Sequence, residues 1–171
     1  MNTAAVLTIS DSSSQGKRED LSGPVVAREL TAAGFQVTQT FVIPDEAVQI
    51  QQKIIECCRN VRLVVTVGGT GIAARDVTPE ATRAVVDRVI EGIPERMRAF
   101  GSKNTPLAAL SRGTCGTRGQ SLVLNLPGSP KAAVESLQAI IEILPHALEL
   151  LRGNTQHGDQ AIGSSGHRVI D

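Results

Sequence analysis

Tryptophan and tyrosine are absent from this 171-residue chain, and Phe35, Phe41 and Phe100 are its only aromatic side chains. A stacking platform for single-stranded nucleic acid is therefore not expected, and the core must be aliphatic. Net charge is missing too: 17 Lys and Arg balance 17 Asp and Glu. No overall field draws the chain to nucleic acid or an anionic membrane, so any phosphate binding must be local. Cysteine is scarce, with Cys57 and Cys58 adjacent and Cys115 remote. An odd number without CxxC spacing points to neither a disulfide framework nor a zinc site, and fits a reducing compartment. His146, His157 and His167 form no HExxH or Cys/His grouping, which argues against a zinc enzyme. The N-terminus lacks the basic stretch and apolar run of a signal peptide, and no segment is long enough to span a bilayer. A soluble, cytoplasmic protein is expected.

What is present is organised around residues 63–80, LVVTVGGTGIAARDVTPE. Leu63 to Val67 is a continuous β-branched and apolar run, as in a strand buried on both faces of a parallel sheet. Gly68, Gly69, Thr70 and Gly71 follow directly, giving a loop whose backbone N–H groups can approach an anion closely. Arg75 and Asp76 come next, and Thr78-Pro79-Glu80 reads as a helix start with Thr78 as N-cap. Ligands bind at this edge of open α/β sheets. Gly69-x-Gly71-x-x-Ala74 meets a permissive dinucleotide fingerprint, but the helix start falls too late for it. Gly16-Lys17-Arg18 lacks both ends of a Walker loop.

Ala4 to Ile9 reads as a first strand giving way to the polar loop 10–14, and residues 25–33 as a helix ended by Gly34. Gln36 to Ile43 reads as a strand, broken by Pro44-Asp45-Glu46 before a helix over 47–59. Helices are expected over 79–89 and 95–101, with Gly92-Ile93-Pro94 between them. Residues 108–119 are too rich in glycine to assign. Ser121 to Leu126 is a second buried-type strand, Pro127-Gly128-Ser129-Pro130 a tight turn, and 131–151 one long amphipathic helix. The alternation predicts a three-layer, doubly wound α/β fold with a mostly parallel sheet. A single domain over 1–153 and a mobile tail over 154–171 are expected.

Each candidate residue has a structural alternative. The glycine loop is either an anion cradle or a tight turn. Asp45 and Asp76 each follow a strand end and could share Mg²⁺ with substrate phosphates, or cap the next helix. Ser111, Arg112 and Arg118 could hold an anion, or form surface ion pairs. Ser129 is placed to cap a helix whose free N–H groups could also meet an anion. Cys115 has no identifiable histidine partner and makes a poor nucleophile candidate.

Together, Thr8-Ile-Ser-Asp11, Glu19-Asp-x-Ser-Gly-Pro24, Pro44-Asp45-Glu46, Gly68-Gly-Thr-Gly71, Arg75-Asp-x-Thr-Pro-Glu80, Leu110-Ser-Arg112, Arg118-Gly119 and Asn125-Leu-Pro-Gly-Ser-Pro-Lys-Ala132 resemble the MogA/MoaB family of molybdenum-cofactor biosynthesis. That family includes the gephyrin G domain and its plant counterpart. The ordered match runs to about Gly153. The resemblance implies a molybdopterin-binding fold, a homotrimer, and adenylyl transfer from Mg-ATP to molybdopterin with release of pyrophosphate. A binding-only relative or scaffold of the same family is the alternative, and the molybdenum insertase of the pathway is an implied partner. Carried over residue by residue, the two important acids fall on Asp45 and Asp76, which would hold Mg²⁺. Substrate contacts fall on Asp11, Ser12, Gly68, Gly69, Thr70, Gly71, Arg75, Ser111, Arg112, Pro127, Gly128, Ser129 and Lys131. Ser12 departs from the pattern, because relatives often carry arginine after the aspartate.

Overall fold

A computed structural model describes residues 2–153; the tail expected over 154–171 lies outside the described residues. Six strands form one sheet: β1 (Thr3–Ile9), β2 (Gln36–Ile43), β3 (Leu63–Val67), β4 (Arg88–Val89), β5 (Cys115–Arg118) and β6 (Ser121–Leu126), in the order β2-β1-β3-β6-β5-β4. β2, β1, β3 and β6 run parallel, while β5 is antiparallel to both of its neighbours. The fold is the expected three-layer, mostly parallel α/β arrangement.

The continuous apolar strands are explained by burial on both sides. Alternate residues Val6, Leu63, Val65, Leu122 and Leu124 face α2 (Ser22–Ala32), α5 (Gly92–Gly101), α6 (Pro130–Gln138) and α7 (Leu144–Leu151), where they meet Leu30, Met97, Leu137 and Leu148. Their neighbours Ala5, Leu7, Val64 and Val123 face α3 (Ala47–Cys58) and α4 (Thr78–Arg83), packing on Ile50, Ile54 and Ala81. Each fully buried leucine or isoleucine contributes about 1.5–3 kcal/mol. No helix among the described residues is long and apolar enough to cross a membrane.

Several elements differ from the sequence expectation. Residues 10–14 are not simply a loop: Asp11–Ser14 form a one-turn helix, α1, capped by the Ser10 hydroxyl, which accepts from the Ser13 N–H at 3.2 Å. Helix α2 begins at Ser22 because Asp20 accepts from the N–H groups of Ser22 and Gly23, both at 3.0 Å. The helix expected over 79–89 ends at Arg83. Beyond it the chain joins the sheet edge, with the N–H of Asp87 bonded to the Thr117 carbonyl and that of Ile90 to the Cys115 carbonyl. Gly92 to Pro94 form the first turn of α5 rather than a separator. The unassigned glycine-rich segment resolves into a 3₁₀ turn, Pro106–Leu110, followed by β5. The long C-terminal helix is two helices, because Pro145 can stand in the first turn of α7 but not inside a continuous helix.

Candidate active site

The chain steps from β1 to β2 on one side, then returns to place β3 on the other side of β1. This reversal is the topological switch point of the sheet, where strand ends diverge and leave a crevice. The loops after β1, β2, β3 and β6 all open there. β5 runs the other way, so its preceding segment, Ser111 to Thr114, reaches the same edge.

After β3, Gly68 and Gly69 take positive φ angles of 109° and 62°. A Cβ on Gly68 would stand 2.3 Å from the Ile9 carbonyl oxygen, and one on Gly69 would stand 2.3 Å from Thr78 Oγ1 and 3.0 Å from Asp45 Oδ1. Glycine is required here by backbone conformation and by close approach together. Thr78 is consequently not the N-cap; it lies within α4, fully buried, and Val77 occupies the cap position.

Asp45 and Asp11 are tied by paired backbone bonds. The N–H of Asp11 donates to Asp45 Oδ2 at 2.9 Å, and the N–H of Asp45 donates to Asp11 Oδ1 at 3.0 Å. Arg75 bridges Asp11, through Nε at 3.0 Å and Nη2 at 2.9 Å, and Glu46 at 2.8 Å. The Asp45 backbone N–H and Arg75 hold the Asp11 carboxyl below the usual range despite partial desolvation. Burial, with the nearby charges of Asp11 and Asp76, pushes Asp45 up. Asp76 closes a turn by accepting from the Ala73 N–H at 2.8 Å, and its Oδ2 lies 2.8 Å from where a Cβ of Gly71 would stand.

Two clefts flank this loop. The larger, about 470 Å³ and mainly apolar, is lined by Gly69, Thr70, Gly71, Asp76, Ser111, Pro127, Gly128 and Ser129 together with Met97, Leu107, Ala108 and Leu110. The second, about 360 Å³, is more polar and includes Thr8, Ser10, Ser13, Arg18, Asp20 and Ser22. Gly128 and Ser129 line both. Ser129 caps α6, its hydroxyl accepting from the Ala132 N–H at 3.2 Å.

The sequence candidates divide accordingly. Gly69, Thr70, Gly71, Asp76, Ser111, Pro127, Gly128 and Ser129 line the larger cleft. Gly68 anchors the loop below it through its N–H to the Leu126 carbonyl at 3.0 Å. Asp11, Asp45 and Arg75 form the adjoining ionic group. Ser12 pairs with Ser10 at 3.2 Å and lines neither cleft. Lys131 also lines neither; it is exposed, with Glu135 at 3.9 Å. Arg112 directs its donors to protein carbonyls and Glu80. Arg118 lies at the far end of β5, donating to the Val85 carbonyl, and is not part of the site.

Sequence reasoning missed the apolar wall of Met97, Leu107 and Leu110, and Arg98 and Glu135 beside it. Leu110 stands in the Leu110-Ser-Arg112 match without a role of its own, and no motif marks the others. Asn125 stood in the matched stretch 125–132 but was given no role: fully buried, it donates to Thr66 Oγ1 and Thr82 Oγ1, both at 2.9 Å, and accepts from the Thr114 N–H at 3.2 Å. The signal was an amide inside an otherwise apolar strand, SLVLNL.

A switch-point crevice with a glycine loop, grouped acids and two flanking clefts defines a ligand-binding α/β domain. Residues 5–146 match the family described as probable molybdopterin binding domain, and the chain belongs to that family. It is 40% identical over 153 residues to a molybdopterin adenylyltransferase of Helicobacter pylori, covering 87% of this chain and 87% of that protein. It is 44% identical to the Drosophila melanogaster molybdenum cofactor synthesis protein cinnamon, but spans only 25% of that longer protein. The crystal structure of the molybdopterin biosynthesis enzyme MoaB from Thermus thermophilus superimposes with a TM-score of 0.85 at 44% identity, covering 90% of this chain and 98% of that one.

Proposed function

We propose that this protein acts in molybdenum cofactor biosynthesis by transferring the adenylyl group of ATP to molybdopterin. The observation that carries this reading is the shared wall of the two clefts: Gly128 and Ser129 line both a mainly apolar cleft and a more polar one, beside the glycine loop. Two substrates, one in each cleft, would bring their phosphates together at that wall. A terminal phosphate oxygen of molybdopterin attacks the α-phosphorus of ATP, a new P–O bond forms, the α–β bridging bond breaks, and pyrophosphate leaves.

Both reactants are anionic, so the protein's task is to align them against mutual repulsion. N–H groups of the glycine loop and that of Lys131, in the first turn of α6, supply donors without a protonation step. Positioning contributes most of the rate enhancement, and no covalent enzyme intermediate is needed.

Asp45 and Asp76 would hold a Mg²⁺ ion. Asp45 is partly buried among like charges and pushed up in pKa, and a divalent cation would relieve that repulsion. Mg²⁺ held there would supply positive charge to offset the charge developing as pyrophosphate leaves. Asp11 and Arg75 orient Asp45, and Ser111 contributes a hydroxyl to the larger cleft. A homotrimer, a cytoplasmic setting and hand-over of product to the molybdenum insertase complete the proposal.

The test is an assay of purified protein with molybdopterin and Mg-ATP, following adenylyl-molybdopterin and pyrophosphate, with Asp76→Ala as control. Product from the unaltered chain and its loss in the variant support the reading. Molybdopterin binding without product would replace it with a binding module of the same family.

A further inference from the structure

We propose that Arg112 is a positioning residue that clamps the turn from Gly71 to Asp76 and so sets the geometry of the glycine loop and of Asp76, rather than a ligand for substrate phosphate. This rests on the adenylyl-transfer reading of the site. The Arg112 backbone N–H donates to the Thr70 carbonyl at 2.8 Å. Its Nε donates to the Gly71 carbonyl at 2.6 Å, its Nη2 to the Asp76 carbonyl at 2.6 Å, and its Nη1 to the Glu80 carboxylate. One side chain thus joins the two ends of the turn to each other and to the first turn of α4.

The turn needs such a clamp. Residues 72–75 are exposed, with Ile72 70% exposed, so no core packing fixes them. Within the turn Asp76 accepts from the Ala73 N–H and donates its own N–H to the Ala73 carbonyl, and Arg75 ties the exposed stretch outward to Asp11 and Glu46, leaving the two ends of the turn to Arg112. The guanidinium is meanwhile a poor phosphate ligand. Its three nitrogens each already donate to the protein, Glu80 neutralises its charge, and the residue lines neither cleft. The Glu80 carboxyl in turn is held below its usual range: burial works upward, but the Arg112 hydrogen bond and charge, with a backbone hydrogen bond and the charge of Arg83, outweigh it. A planar fork that serves two carbonyls and a carboxylate at once cannot be replaced by the point charge of lysine.

Arg112→Lys and Glu80→Gln separate clamp from ligand. The clamp predicts that Arg112→Lys lowers kcat on the order of 100-fold, the scale of a misplaced reacting group, with KM for ATP and molybdopterin within about threefold of the unaltered protein. Glu80→Gln should lower kcat several-fold with the same KM values. In the ligand-free protein, hydrogen exchange of amides 70–77 should accelerate in both variants, while the strands β1 and β3 keep their protection. A phosphate-ligand role would do the reverse: Arg112→Lys would raise KM, Glu80→Gln would free the arginine and lower KM, and loop exchange would be unchanged. That pattern overturns the clamp. Absence of adenylyl transfer by the unaltered protein would overturn the proposed function instead, and the exchange rates alone would then decide on the clamp.

Discussion

Asp11 and Asp45, 34 residues apart, each use the backbone N–H of one to satisfy the carboxylate of the other, at 2.9 and 3.0 Å. The bonds are alike, yet the two acids are shifted in opposite directions, Asp11 down and Asp45 up. Burial accounts for most of the difference: Asp45 is the more desolvated and has the like charges of Asp11 and Asp76 beside it, whereas the Asp11 carboxylate, held by the Asp45 N–H, is also bonded directly by Arg75.

This asymmetry predicts opposite responses to amide substitution. Asp45 binds its proton more tightly folded than unfolded, so its ionisation opposes folding as pH rises above the ordinary value of 3.8. Asp45→Asn should therefore be more resistant to unfolding than the unaltered protein at pH 7, with the gain shrinking as pH falls through 3.8. Asp11 is the opposite case. Its stabilisation is present above its unfolded pKa and lost as pH falls through the lowered folded value, so Asp11→Asn should be less stable at pH 7. Urea unfolding of both variants across pH checks the signs. A parallel response of the two would contradict the assignment.

Turnover should not follow stability at Asp45. Asp45→Asn is expected to lose about 10²-fold or more in kcat, the scale of a lost preorganised charge, despite its higher unfolding midpoint. Mg²⁺ should raise the thermal midpoint of the unaltered protein and not that of the variant. Differential scanning measurements with and without Mg²⁺ decide this without an activity assay.

Gly69→Ala should be destabilising by about 1–3 kcal/mol through strain at positive φ, with a further effect from contact with Thr78 and Asp45. Because Asp45 is one of the displaced groups, activity should fall more than stability. Circular dichroism at the working temperature, read beside the kinetics, separates the two losses.

The strand pattern, the glycine loop and the acids at strand ends were legible because each is local: a buried parallel strand is an unbroken apolar run, and a loop at its end must open on the ligand edge. What the sequence hid was partnership. Arg112 and Arg75 look like free cations in the chain, but Arg112 meets Gly71, Asp76 and Glu80, and Arg75 meets Asp11 and Glu46, only after folding. The brief β4 was missed because two residues carry no period, and its pairing depends on Thr117 and Cys115, far along the chain. The break before α7 was passed over in reading one long helix over 131–151, although Pro145, which prefers a first helical turn, was the local sign of it.

Asn125 makes a further case, since an amide in a core strand is tolerable only when satisfied. Asn125→Ala removes the partner of the Thr114 N–H and of two threonine hydroxyls. A loss of about 2–4 kcal/mol is expected, since each buried group left unpaired costs about 1–3 kcal/mol and the effects are not additive. Denaturant unfolding measures it.

The cysteines should be unreactive. Burial pushes Cys57 and Cys58 up to about 11 and Cys115 up to about 12, so little thiolate exists near neutrality. Iodoacetamide at pH 7.5 should label the native protein slowly and leave adenylyl transfer intact, whereas the same reagent in urea should label all three thiols rapidly. Mass spectrometry of the labelled chain provides the count.

The reversed direction of β5 has an evolutionary consequence. A parallel strand offers the ligand edge only the loop that follows it, and that loop must also begin a crossover across the sheet. β5 offers instead the segment that precedes it, residues 102–114, which joins α5 to the sheet without a crossover to complete. Insertions and substitutions there could reshape the apolar wall around Leu107 and Leu110 while leaving every strand register untouched, so this is the stretch where ligand preference can drift at least cost to the fold.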